Sequence, residues 1–91
     1  MDRYLIESPH DPEDCDMIMQ EVHNSGYIHH FDWGCHAGVH TGWAIIETDN
    51  LEHARQIVPW KVRDKARIVK IEKFVIEDTI HPHKKRTNSD L

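Results

Sequence analysis

The side chains with the most chemistry to offer crowd into one stretch, Phe31-Asp32-Trp33-Gly34-Cys35-His36-Ala37-Gly38-Val39-His40-Thr41-Gly42-Trp43-Ala44-Ile45. It holds one of the two Cys, two of the nine His and two of the three Trp in a chain of 91 residues. A thiolate sulfur beside imidazole nitrogens is a donor set that suits zinc, nickel or copper. Cys35, His36 and His40 are three such donors within six positions. The spacing His36-x3-His40 matches one half of a zinc-finger pattern, but no Cys-x2-Cys pair accompanies it. A fourth donor must come from elsewhere in the chain, and which one depends on the elements that carry it.

The flanks of the stretch are rich in aromatic and β-branched residues and read as two strands of a hairpin. Gly38 and Gly42 between them can take the positive φ of a tight reversal. Placing Cys35 opposite Thr41 sets Trp33 against Trp43 and Phe31 against Ile45, with a five-residue loop holding His36 and His40 at its two ends. Cross-strand aromatic pairs of this kind hold a register.

Around the hairpin the chain alternates between strand and helix patterns. Arg3 to Ser8 is a first strand, broken by Pro9 and Pro12. Asp11 then reads as an N-cap, with Pro12 first in a helix and Glu13 and Asp14 in its first turn. Cys15, Ile18, Met19 and Val22 form the apolar face of that helix, and Gly26 its C-terminal cap. Tyr27 to Cys35 and Thr41 to Thr48 are the second and third strands. Asp49 or Asn50 caps a second helix with Leu51, Ala54, Ile57 and Val58 on its inner side, which Pro59 stops. Ala66 to Val75 is a fourth strand.

The order β-α-β-β-α-β predicts an α+β fold, the ferredoxin-like sandwich with a four-stranded antiparallel sheet. Its first and third strands are central, and here they carry the apolar runs Tyr4-Leu5-Ile6 and Trp43-Ala44-Ile45-Ile46. Two helices cover only one sheet face, so a sheet-to-sheet homodimer is expected on the other. The topology also brings the end of the first strand, the start of the first helix and the hairpin loop to one edge. The predicted metal ligands are therefore Cys35, His36 and His40 with His10, and Glu7 or Asp11 could add a carboxylate. Cys15, near the start of the helix, reaches the same edge and is the weaker candidate ligand; its plainer reading is a small apolar residue on the helix's inner face.

Composition narrows the function further. The domain is read as residues 1–76, with a flexible tail at 77–91 that contains Lys84-Lys85-Arg86. A net charge of −5 with 30% charged residues disfavours non-specific binding to nucleic acid or anionic membrane. No apolar run reaches membrane-spanning length, and no signal pattern opens the chain. Two Cys without such a signal point to reduced thiols in the cytoplasm.

On this element order, and on the pieces Trp33-Gly34-Cys35 and His40-Thr41-Gly42-Trp43, the sequence resembles the dimeric α+β barrel group of small ferredoxin-like proteins from Arg3 to about Val75. That group includes monooxygenases, isomerases and haem-degrading enzymes. Within it the sequence is most similar to a His-rich subset of nickel-binding or metal-responsive proteins and others without assigned activity. The resemblance implies a dimer with an inner cavity that takes a small molecule, and it carries over no catalytic residue.

The other histidines support competing readings. His29 faces Glu47 in the expected pairing, an exposed ion pair. His53 is solvent-facing, and His81 and His83 lie in the tail. His30 and Asp32 share a strand face and could serve as a general base toward a carbon acid. Cys35 with His36 or His40 could form a nucleophilic pair. No Gly-rich phosphate loop or catalytic signature supports either reaction. An interaction module with aromatic residues at its interface is the third reading.

Overall fold

The computed structural model describes residues 1–76; the tail expected at 77–91, with His81 and His83, lies outside the described residues. Strand β1 (Asp2–Pro9) leads through a 3-10 turn (Pro12–Asp14) into helix α1 (Cys15–Asn24). A second 3-10 turn (Ile28–His30), strand β2 (Phe31–Trp33), a third turn (Cys35–Ala37) and strand β3 (Thr41–Thr48) follow. Helix α2 (Leu51–Ile57), a turn over Trp60–Lys65 and strand β4 (Arg67–Ile71) complete the order. The sheet is antiparallel with strand order β2-β3-β1-β4, the ferredoxin-like βαββαβ arrangement.

Local chemistry explains the element ends. Asn50 caps α2 by accepting a hydrogen bond from the His53 backbone N–H at 2.9 Å. Asp11 is extended and makes no side-chain cap; its carbonyl accepts from the Asp14 N–H and closes the first 3-10 turn instead. After α1, Gly26 takes a φ of 90°, a conformation that a side chain would strain. Pro59 follows α2 and denies it a further helical donor.

The two helices cover one face of the sheet. Ile6, Ile18, Val22, Phe31, Ala44, Ile46, Ile57, Val58 and Val62 form the buried core there, with Met17, Tyr27, Trp33 and Ile68 packed against it. Met19, expected on the inner stripe of α1, is only half-buried, and Leu51 is 48% exposed. On the opposite face Val69, Leu5 and Ile45 line up across three strands, with Trp43 beside them. Ile45 is 48% exposed, so no described segment of the chain covers that row. The β4 edge carries two surface ion pairs, Arg67–Glu7 at 3.7 Å and Lys70–Asp2 at 3.6 Å.

The hairpin differs from the expected one by a single residue. Phe31 pairs with Ala44, Asp32 with Trp43 and Trp33 with Gly42. Side chains alternate between faces along a strand, so this step places the two Trp on opposite sides of the sheet. Trp33 joins the core and Trp43 looks out. The cause lies in Gly42, where a Cβ would stand 2.7 Å from Trp33 Cζ3. Gly42 is a strand residue that admits the indole across from it, and the positive φ of the reversal belongs to Gly38, at 87°. Strand β2 is also shorter than Tyr27 to Cys35, because Ile28–His30 coils into a turn. His29 is thereby outside the ladder and does not pair with Glu47 in register.

Candidate metal centre

The end of β1 and the start of β3 continue their ladder by one step. The His10 backbone N–H donates to the His40 carbonyl at 2.9 Å, which sets the two histidines opposite each other. Their ring centroids are 5.9 Å apart at 71°. Gly34 donates to the Thr41 carbonyl at 3.0 Å, and Cys35 then opens the Cys35–Ala37 turn directly beside His40. The fourth element arrives from the other layer. Pro12–Asp14 turns the chain over the sheet edge, and Cys15 begins α1 above the same point. An ion pair of 3.1 Å between Asp14 and Lys61 ties this corner to the Trp60–Lys65 turn.

The result is a cluster of His10, Cys15, Cys35 and His40, with one donor atom from each lying within 4.8 Å of all the others. Cys15 Sγ is at its centre, 3.1 Å from His10 Nε2, 3.2 Å from His40 Nδ1 and 3.5 Å from Cys35 Sγ. Cys35 Sγ stands 3.4 Å from His10 Nε2. In a tetrahedral zinc site, bond lengths of about 2.3 Å to sulfur and about 2.0 Å to nitrogen put sulfurs about 3.8 Å apart and S···N neighbours about 3.5 Å apart. These four spacings are a few tenths of an ångström shorter, while the group as a whole spreads over as much as 4.8 Å, so an ion would draw the outer donors in as it parts the sulfur and nitrogen pairs at the centre.

The surroundings suit neutral imidazole and shield the donors. His10 is 6% exposed, and burial lowers its affinity for a proton, helped by the nearby His40. The Ser8 backbone, Asp14 and Asp11 oppose this without reversing it. Burial also raises the Cys15 thiol pKa, reinforced by its hydrogen bond to Cys35 and by the charges of Cys35, Asp16 and Asp14. Without a cation the thiol therefore holds its proton. On one flank the edge of His10 meets Trp33, with centroids 6.1 Å apart, and Trp33 stacks on Phe31 at 5.4 Å. The aromatic pair forms an apolar wall between the cluster and the hydrophobic core.

Of the expected ligands, the structure brings His10, Cys35 and His40 together, while His36 is exposed on the turn and outside the group. Glu7 and Asp11 are also outside it. Cys15 is the member that the apolar stripe concealed. It is half-buried, with its sulfur turned to the cluster and away from the core. One signal in the sequence points to it: His10-x4-Cys15 and Cys35-x4-His40 are two donor pairs of equal spacing and inverted order. His30 and Asp32 lie elsewhere, lining a shallow hollow of about 280 Å³ on the open sheet face with Leu5, Trp43 and Ile45.

Among the described residues no helix is long and apolar enough to cross a membrane. No family model, no curated protein and no solved structure matches the chain. The case for function therefore stands on the four side chains themselves.

Proposed function

We propose that this protein binds one divalent transition-metal ion through His10 Nε2, Cys15 Sγ, Cys35 Sγ and His40 Nδ1. The observation that carries the reading is the convergence of two sulfurs and two nitrogens from two separate stretches of chain, 10–15 and 35–40, within 4.8 Å. Two thiolates and two neutral imidazoles balance a divalent charge, so the bound site buries no net charge. Four protein donors complete a tetrahedron and leave no position for a reacting water, which favours a structural, storage or sensing role over catalysis. Zinc fits this donor set best, with nickel and copper the alternatives. Reduced thiols are needed throughout, in keeping with a cytoplasmic setting.

The ligands also divide the labour. His10 and His40 come from the sheet and are held by its ladder, whereas Cys15 and Cys35 come from the start of a helix and from a turn. The ion would thus fasten α1 and the hairpin turn to the end of the two central strands.

Cobalt titration of tag-free, reduced protein tests the reading. A thiolate-to-metal charge-transfer band should saturate at one cobalt per chain, and zinc should displace it. Cys15→Ser, Cys35→Ser and His40→Ala should each weaken binding by more than the roughly 10- to 100-fold that losing an outer-shell partner costs. His36→Ala should leave it unchanged. A band that survives Cys15→Ser but disappears with His36→Ala would replace this ligand set with one confined to the hairpin.

The open sheet face supports a second part of the reading, a homodimer packed face to face. The row Val69, Leu5 and Ile45, with Trp43 at its side, is an apolar strip on an otherwise charged surface, and the hollow by His30 and Asp32 would become an enclosed cavity for a small molecule. Light scattering at micromolar concentration should give twice the chain mass; a monomer would remove the dimer and leave the metal centre untouched.

A further inference from the structure

The two cysteines of the cluster come from segments 20 residues apart in the chain, yet their sulfurs are 3.5 Å from each other. A disulfide needs them about 2.05 Å apart. The gap is thus about 1.5 Å, a distance that side-chain adjustments on a turn and at a helix start can close. Cys35 sits in a turn whose next four residues, His36, Ala37 and Gly38 with Val39, are all exposed. Both Cys are free thiols, and both are half-buried, so neither is sealed in the core.

We infer that Cys15 and Cys35 form a redox-active dithiol that reacts with hydroperoxides, closes to an intramolecular disulfide and releases the metal. The inference rests on the metal-binding reading for its second half only. One sulfur, as thiolate, attacks the peroxide O–O bond and becomes a sulfenic acid while the far oxygen leaves as hydroxide. The second sulfur then attacks the sulfenic sulfur, the S–S bond forms, and the sulfenic oxygen departs as water after taking up a proton. Overall two thiols and one hydrogen peroxide give one disulfide and two waters. Disulfide sulfurs carry no negative charge for a cation, so His10 and His40 remain as the only ligands of the four. A dithiol reductant reverses the step by exchange. A bound ion opposes it, because it ties up both thiolates and holds the sulfurs about 3.8 Å apart.

The test treats full-length protein, metal-free and zinc-loaded, with hydrogen peroxide. Expected from the metal-free protein is a product of single-chain covalent mass two hydrogens lighter, with a Cys15–Cys35 cross-linked peptide on non-reducing mass spectrometry. Zinc-loaded protein should form the same link more slowly and release zinc in step with it, and dithiothreitol should restore both thiols and zinc uptake. Cys15→Ser and Cys35→Ser should each abolish the link, and the wild-type peptide map decides the matter even if a variant folds poorly. Intermolecular disulfides or sulfinic acids in place of the internal link would overturn the dithiol assignment. A link that forms while zinc stays bound would overturn the coupling. If reduced protein takes up no metal at all, the proposed function fails on its own, and the metal-free arm still decides the dithiol.

Discussion

Trp33 and Trp43 occupy neighbouring strands within one rung of each other, and they live in different environments. Trp33 packs against the core, stacks on Phe31 and meets the edge of His10. Trp43 lies on the open face beside Leu5, Ile45 and Asp32 and is not among the residues packed against the core. The same residue type thus performs two tasks, a wall behind a polar cluster on one side and apolar surface on the other. A sheet makes this division available because neighbouring residues along a strand face opposite ways. Each indole packs over a glycine on the other side of the hairpin, Gly42 in β3 for Trp33 and Gly34 just past β2 for Trp43. A Cβ at Gly42 would meet Trp33 at 2.7 Å, and one at Gly34 would meet Trp43 at 2.9 Å.

The contrast is sharpest in stability. Trp33→Ala should cost about 3 kcal/mol, near the low end for a buried aromatic, and Trp43→Ala about 1 kcal/mol. Chemical denaturation of the metal-free variants measures both, and equal losses would erase the distinction between the faces. Gly42→Ala is the next largest effect, about 1–3 kcal/mol from overpacking against the indole. Combining it with Trp33→Ala should recover most of that penalty, since the clash has no partner left; a strictly additive pair would place the strain elsewhere.

The smallest effect is pH-dependent and concerns His10, which Trp33 shelters. Its pKa is lowered in the fold from an ordinary value of 6.5. The unfolded chain therefore binds more protons than the native protein just below that pH. Stability of the metal-free protein should be full above pH 6.5 and decline as pH falls toward the depressed folded value. His10→Gln should flatten that decline in a series of denaturation midpoints. A decline of the same size in the variant would assign it to other groups.

Much of this arrangement was legible in the residues. The apolar runs of β1 and β3 marked the central strands, Gly26 and Asn50 marked helix ends, and the element order gave the sandwich. The metal-compatible character of one sheet end followed from Cys35, His40 and His10 once the strands were ordered. Two features were not readable. The register depends on how an indole and a glycine fit across two strands, and a one-residue shift reverses every side chain's face. Cys15 occupies a position with perfect helical spacing to Ile18 and Val22, and spacing records which side of a helix is inward without recording what waits there. It lies at the inward face's first turn, where the core has ended and the cluster begins.

The sheet's two edges bear on how this molecule avoids its own copies. An unpaired strand edge is a template for foreign strands, and fibrils grow by such additions. Here β2 exposes an edge of only three residues before turns interrupt it on both sides. Edge strand β4 places Arg67 and Lys70 among its five residues, each tethered to an acid of β1. A strand arriving at that margin meets positive side chains at alternating heights and little flat backbone. Self-assembly by sheet extension is thereby discouraged, and any stable pairing of copies is directed to the broad face between the edges.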